Sequence, residues 1–423
     1  GTNGKGSICQ MINSILLTNN PSLKIGKFAS PYTISPNDSI SINNIPMEYG
    51  KYKQINPLME KLDMTPFEKA TMKCIEYFNS NKNDYNIMEV GCGGLLDSTN
   101  IIPATDKSLI IINKISLDHT NLLGDTLNEI AFHKAGVING ANKNCKVLIN
   151  SDNDKKQVID TVIEQCKKVD MEYELVNTTN VSGNETNEIK SFLNKKFEYS
   201  YQLGNAIMAY KAVEYLKSSN KDLALATEKT IQAFEEFELL GRLTKVEDYY
   251  LGQSTTQKIS FMVDGSHNSD ALKDLGNYID SNYRKSFSDQ IIFVVSKTSS
   301  KELEWKKLLR KNDIVVVTEF DKVDEMDWIK SASCDQIYQE LVINGVEPKN
   351  IILEKNIDKA ITIANVNTKF SFNSRNPEEK IFIVGSLYLA GKVFQLKQEK
   401  LSQMSLISKN SSDLLNNDRR KIN

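Results

Sequence analysis

The sequence predicts an α/β protein built on parallel sheets and divided into two domains, and three observations carry that prediction. Apolar runs of strand length alternate with stretches of helical periodicity along most of the chain. Polar, glycine-containing clusters follow several of those runs directly, as Gly91-Cys92-Gly93-Gly94 follows Tyr85 to Val90 and Asp264-Gly265-Ser266-His267-Asn268 follows Ile259 to Val263. Ligands of parallel sheets gather at these carboxyl ends. At 423 residues the chain is also longer than one ordinary core supports.

Taken in order, Ile8 to Leu17 reads as helix and Ile25 to Phe28 as a short strand. Ser30 to Met47, broken by Pro31, Pro36 and Pro46, is expected to be an irregular loop. Thr65-Pro66-Phe67-Glu68 opens a helix running to Phe78, with a cap followed by proline at the first helical position. Leu109 to Ile115 and Lys146 to Asn150 are further strands, and Leu127 to Ala135 is a helix closed by Gly136. Residues 176–196, rich in Asn, Thr, Ser and Lys, are expected to form a mobile surface insertion. Gln202 to Leu216 and Ala224 to Phe234 are helical. The pattern changes at Gly241-Arg242-Leu243, after which strands recur at 259–263, 291–295, 314–317, 351–353 and 381–384. The expected division is a first domain over 1–243, a smaller α/β domain over 244–396 and a polar, fraying tail over 397–423.

A hydrophobic content of 40%, a charged content of 25% and a net charge of −2 describe a globular chain with no electrostatic reason to seek nucleic acid or a membrane surface. No apolar run approaches transmembrane length. The six cysteines include no Cys-x-x-Cys pair and read as reduced thiols, which fits a cytoplasmic location.

The chemistry begins at Gly1-Thr2-Asn3-Gly4-Lys5-Gly6-Ser7. Glycines let backbone N–H groups wrap an anion, Lys5 adds a point charge, and the following helix aims its positive end at the same place. The pattern is close to a P-loop, with Gly6 intervening before the hydroxyl residue. A P-loop normally leaves a buried strand; none precedes Gly1, so the first strand is expected to be missing and a mitochondrial leader is left open. Glu89 stands inside an otherwise apolar strand, where a lone carboxylate must be paired or metal-bound. His119 lies just past another strand, and Glu89, His119 and a hydroxyl such as Ser30 could hold Mg²⁺. A buried ion pair and a core histidine are the plainer readings. Asp264 to Asn268 could equally be an Asp-Gly turn with an N-cap. Periodicity alone makes Lys134 a snorkelling surface lysine.

These motifs, in their order, resemble the folylpolyglutamate synthase and dihydrofolate synthase family of ATP-dependent Mur-type ligases. The likeness runs through GTNGKGS at Gly1, Ser30-Pro31, TPFE at Thr65, EVGCGGLLDSTN at Glu89, LDHTNLLGDTLNEIAFHKAG at Leu117 and QLGNA at Gln202. It continues through GRL at Gly241, DGSHN at Asp264 and GSLYLAG at Gly385. The resemblance implies a P-loop ATPase domain with a parallel-rich central sheet, followed by a Rossmann-like domain. It implies ATP contacts at Thr2, Asn3, Gly4, Lys5, Gly6, Ser7, Asn205, Arg242 and Asp264, and Mg²⁺ at Ser30, Glu89 and His119. The pterin substrate would meet Thr65, Pro66, Phe67, Glu68, Leu96, Asp97 and Ser98. Lys134 matches a lysine that the family carbamylates, and His267 and Ser386 would contact the acyl phosphate and incoming glutamate.

The implied activity is ligation of L-glutamate to dihydropteroate by a monomer that needs only small-molecule partners. Asn3 and Lys134-Ala135-Gly136 favour it over extension of a folate's glutamate tail. A non-catalytic nucleotide-binding relative is the reading from another class. Three positions depart from the family pattern: Tyr32 stands for His, Leu95 for Arg and His133 for Glu.

Overall fold

The computed structural model describes residues 2–54, 59, 61–153, 155–178, 188–197, 201–252, 257–284, 286, 289–368 and 380–419. The chain divides into two units, Gly1–Leu239 and Leu240–Asn423.

In the first unit, β1 (Ile25–Phe28), β2 (Ile40–Ile42), β3 (Ile45–Pro46) and β4 (Tyr85–Met88) form a sheet in the order β3-β2-β1-β4. β1 runs parallel to β4, with Ile25 opposite Tyr85 and Phe28 opposite Met88, and antiparallel to β2. The expected proline-broken loop therefore contains a hairpin and a 3₁₀ turn, Pro36–Ser39. Its prolines stand where they do no harm, Pro36 opening the 3₁₀ turn and Pro46 closing the short edge strand.

A second sheet joins β5 (Leu109–Ile112), β6 (Lys146–Asn150) and β7 (Glu172–Val176), all parallel. Its two faces sort by the strand period of two. Leu109, Ile111 and Leu148 pack with Ile8, Met11 and Ile15 of the helix Lys5–Asn19 and with Ala206 and Ala209 of the helix Gln202–Ser219. Ile110, Ile112, Val147 and Ile149 pack with Ile130, Ala131, Val158 and Val162 of the helices Leu127–Ala135 and Lys156–Lys168.

The stretch expected to be a mobile insertion holds regular elements at both ends. Its start belongs to β7, and Glu188–Lys196 is a helix that buries Ile189 and Leu193 four residues apart. Residues 179–187 lie outside the described residues.

The second unit holds one six-stranded sheet of β8 (Thr244–Tyr250), β9 (Lys258–Asp264), β10 (Ile292–Val295), β11 (Ile314–Val317), β12 (Ile351–Leu353) and β13 (Ile381–Val384). The order is β12-β11-β10-β13-β9-β8, parallel except for β8 at the edge. Every residue of β10 and β13 is buried, which is why both read as uninterrupted apolar runs. The tail expected to fray continues as the helix Leu387–Arg419. Lys400 anchors it, donating to the Gly252 carbonyl at 2.7 Å and to Asp358 Oδ2 at 3.0 Å, while Asp358 Oδ1 accepts the Tyr249 hydroxyl at 2.9 Å.

A fully buried ion pair closes this unit. The Arg284 guanidinium meets Asp313 Oδ2, which also accepts the Arg310 N–H at 2.7 Å, and Asp313 Oδ1 accepts the Ile291 N–H at 3.0 Å. Asp313→Ala is expected to destabilise by about 3–5 kcal/mol, because it leaves the buried Arg284 with only the half-exposed Asp280 carboxylate, at 2.7 Å, and removes the acceptor of two backbone N–H groups. The double change Arg284→Met with Asp313→Leu should cost clearly less. Equal losses in melting temperature for the two variants would refute that account.

Candidate active site

The helix Lys5–Asn19 begins immediately after Gly4, whose left-handed backbone (φ 82°) makes the turn. Among the described residues no side chain caps this helix and no acidic residue occupies its first turn, so nothing there offsets its positive end. Thr2 fastens the loop to the chain beyond β5. Its N–H donates to the Lys114 carbonyl at 2.8 Å, and its hydroxyl donates to Ser116 O at 3.0 Å and accepts the Ser116 N–H at 2.9 Å. Thr2 is thus an anchor. Lys5 Nζ lies 3.3 Å from the Thr2 carbonyl. Gly1 falls outside the described residues.

Glu89 is buried directly across from the loop: a Cβ on Gly6 would sit 3.2 Å from its Oε2. The same oxygen accepts the Ser30 N–H at 3.1 Å, so Ser30 and Glu89 are brought together beside the loop. The pairing of β1 with β4 does this, and the Glu89 N–H extends it to the Phe28 carbonyl at 2.9 Å. His119 takes a left-handed backbone (φ 51°, ψ 37°) to start the short helix Thr120–Leu123. Its side chain is 43% exposed, with Nε2 3.8 Å from Asp118 Oδ2, so it is no core histidine.

Whether these residues suit a metal and nucleotide can be read from their donors. Ser7 is 1% exposed, and its Oγ has no hydrogen-bond partner among the described residues. A buried hydroxyl left this way awaits an acceptor such as a phosphate oxygen. Ser30 and Glu89 offer the oxygen donors Mg²⁺ prefers. No three His, Cys, Asp or Glu groups gather to hold a metal among the described residues. Mg²⁺ normally takes one or two carboxylates and completes its shell with phosphate and water, so the set fits.

Lys134 is 5% exposed, which corrects the surface-lysine reading from periodicity. Burial, aided by the charge of Lys5, pushes its ammonium down to about 8; Cys92, Asp118 and Asp97 oppose the shift. The loop after β4 packs close to this lysine. A Cβ on Gly94 would lie 2.8 Å from the Lys134 carbonyl, and the Leu95 N–H donates to the His133 carbonyl at 2.8 Å.

The segments expected to meet the pterin adjoin one another. Thr71 of the helix Pro66–Asn81 shares a 2.6 Å hydrogen bond with Ser98, and the Phe67 ring fills the space a Cβ on Gly91 would need. Thr65 and Glu68 form a reciprocal capping box, Thr65 N–H donating to Glu68 Oε2 at 2.7 Å and Glu68 N–H to Thr65 Oγ1 at 3.3 Å. Asp97 accepts the Cys92 N–H at 2.8 Å and the Thr99 N–H at 3.0 Å. Leu96 is 87% exposed.

In the second unit, Asp264 ends β9 and is buried. Its carboxylate accepts the Leu243 N–H at 2.8 Å and the Ser266 N–H at 2.9 Å, and the Gly265 N–H donates to Gly241 O at 2.8 Å. The GRL and DGSHN motifs are thereby one structure. Arg242 Nη1 donates to Gly241 O at 3.2 Å, and His267 Nδ1 lies 2.8 Å from Gly265 O. Asn268 caps the helix Ser269–Asn282, as an Asp-Gly turn with an N-cap requires. Ser386 Oγ accepts the Tyr388 N–H at 3.1 Å.

Asn113 and Asn150 escaped the sequence reading, although Asn113 breaks the apolar run Leu109 to Ile115 much as Glu89 breaks its own. Both are buried beside the loop.

The family description "Mur ligase middle domain" matches residues 1–210, and "Dihydrofolate synthetase, C-terminal domain" matches residues 246–397. A dihydrofolate synthetase of Saccharomyces cerevisiae is 32% identical over 415 residues, covering 95% of this chain and 92% of the relative. A probable dihydrofolate synthetase of Schizosaccharomyces pombe is 28% identical, covering 93% and 91%. Among solved structures, Mycobacterium tuberculosis folylpolyglutamate synthase complexed with ADP and AMPPCP superposes with a TM-score of 0.72 at 21% identity, covering 94% of this chain and 89% of that one. E. coli FolC in complex with DHPP and ADP does so with a TM-score of 0.70 at 18% identity, covering 95% and 87%. The structural likenesses establish the Mur-ligase fold, and on the yeast relative's identity and coverage the chain belongs to the dihydrofolate synthetase family of Mur-type ligases.

Proposed function

We propose that the chain is an ATP-dependent ligase that joins the amine of L-glutamate to the carboxyl group of dihydropteroate, giving dihydrofolate, ADP and phosphate. The observation that carries the reading is the meeting of an uncapped helix N-terminus, Lys5 and the buried Ser7 hydroxyl with the Glu89 carboxylate across Gly6. The loop backbone and Lys5 hold the ATP phosphates and offset charge as the substrate carboxylate attacks the γ-phosphorus and ADP leaves. The amine of glutamate then attacks the acyl phosphate and expels phosphate. Ser30, Glu89 and His119 would hold Mg²⁺, which when bound neutralises phosphate charge. Most of the rate comes from positioning and electrostatics, so no side chain need act covalently.

Lys134 is carbamylated in this reading. Its neutral amine adds CO₂ and releases one proton, converting a buried cation into an anionic oxygen donor. The lowered pKa of the amine supports this, since the neutral form is the nucleophile.

The decisive assay offers purified protein dihydropteroate and tetrahydrofolate side by side with ATP, Mg²⁺ and L-glutamate. Glutamate-dependent ADP release and a product one glutamyl residue heavier are expected with dihydropteroate. Incorporation into tetrahydrofolate alone would replace the proposed activity by tail extension.

A further inference from the structure

Beside the phosphate loop, four buried side-chain amides form one hydrogen-bonded chain. Asn113 immediately follows β5 at its carboxyl end. Its Nδ2 donates to the Asn3 carbonyl at 3.0 Å and to Asn205 Oδ1 at 3.0 Å, and its Oδ1 accepts from Asn150 Nδ2 at 2.9 Å. Asn205 Nδ2 passes the chain on to Gln202 Oε1 at 2.9 Å, and Asn150 Oδ1 is held by the Asp152 N–H at 2.8 Å. The partners fix which way each amide points: a flipped Asn113 would set its oxygen against two acceptors. Gly4 completes the contact, because a Cβ there would lie 2.1 Å from Asn205 Oδ1 and 2.8 Å from Asn113 Nδ2.

We infer that Asn113 is a positioning residue for ATP, locking the phosphate loop and Asn205 into one arrangement through a single amide group. The inference rests on the ATP-dependent reading above. Asn113 reaches both elements from the same nitrogen, so neither can shift without breaking or dragging the other's bond. An amide buried at the end of an apolar strand costs free energy unless its bonds are made, and the three bonds of Asn113 hold its amide in one orientation. Rigidity here has a use: N–H groups already aimed at the phosphates need no rearrangement when nucleotide arrives. Asn113 itself touches no reacting atom.

The test compares Asn113→Asp and Asn113→Ser in the full chain. Asp keeps the shape and the acceptor for Asn150 but presents oxygen to Asn3 and Asn205; Ser removes the bridge without adding charge. Titration with AMPPNP and Mg²⁺ should show Kd raised roughly tenfold to a hundredfold in both variants. The KM values for dihydropteroate and L-glutamate should stay unchanged. The Asn113→Ser change should add less to Asn205→Ser than to the wild type, since the bond between the two residues is already lost there and only the bond to the Asn3 carbonyl remains to be broken. An unchanged Kd in folded variants, or an equal rise in all three KM values, would overturn the inference. Wild-type binding of AMPPNP without ligation would sink the ligase reading alone, and the Kd comparison would still decide the role of Asn113. No AMPPNP binding by the wild type would overturn both.

Discussion

Lys5→Ala is expected to lower glutamate-dependent ADP release by about 10²–10³-fold while leaving the melting temperature within a degree or two. Lys5 is the first residue of the helix Lys5–Asn19, and its ammonium is held over the loop by the Thr2 carbonyl at 3.3 Å. Thr2 is in turn fixed by Lys114 and Ser116, so the charge is placed before any nucleotide binds. Its removal takes a cation from the point where phosphate charge develops, and it takes little packing, because the side chain is only partly buried. Lys5→Arg should not restore activity, since a planar fork cannot occupy the place of a compact ammonium. The substitution also carries a second signature. Lys5 helps to depress the Lys134 pKa, so that pKa should rise in Lys5→Ala. ADP release and thermal melting are the measurements. Wild-type turnover in a folded Lys5→Ala protein would remove Lys5 from the mechanism.

What the sequence made legible here depended on whether a residue's role was local. The buried strands read correctly because β10 and β13 are covered on both faces and carry no polar residue to confuse the pattern. The glycine-rich loop that we propose holds phosphate could be singled out because its residues are consecutive. Glu89 was visible as an acid among apolar neighbours, yet its alignment with Gly6 and Ser30 comes from the register of β1 against β4 and could not be read from spacing. Lys134 was misread for a related reason. Its last helical turn meets the loop around Gly94 through backbone carbonyls, a contact between segments some 40 residues apart in sequence, whereas periodicity reports only on neighbours. The hairpin at β2 and β3 and the helix Glu188–Lys196 were obscured by composition. In the hairpin, proline lies at places that tolerate it. In the helix, two apolar residues suffice for burial among seven others that are mostly polar. Thr65 and Glu68 show the converse, because their capping box accounts for both side chains without any ligand.

Lys134→Met is expected to lose about 10²–10³-fold in ligation, and its pH behaviour separates a carbamate from a bare lysine. Burial and Lys5 bring the ammonium down to about 8 from an ordinary 10.5. Raising pH through about 8 therefore frees the amine that captures CO₂. A carbamate carbon signal from ¹³C-bicarbonate should grow between about pH 7 and pH 8.5 and be absent from Lys134→Met. Short carboxylic acids added to the Lys134→Ala protein should restore part of its activity by supplying the missing anionic oxygen. Stability gives an independent check. In CO₂-free buffer the unfolded chain binds more protons at this site than the folded one between about pH 8 and pH 10.5, so stability at this site rises with pH across that window. Lys134→Met, which has no ammonium to bury, should thus melt higher than the unmodified wild type at pH 7, and the gap should narrow as pH rises from 8 towards 10.5. Bicarbonate added on top of Mg²⁺ and AMPPNP should stabilise the wild type further and leave the variant unchanged. Full ligase activity in folded Lys134→Met would exclude the carbamate from the mechanism, and a pH-independent gap in melting temperature would show that Lys134 is not a buried amine of lowered pKa.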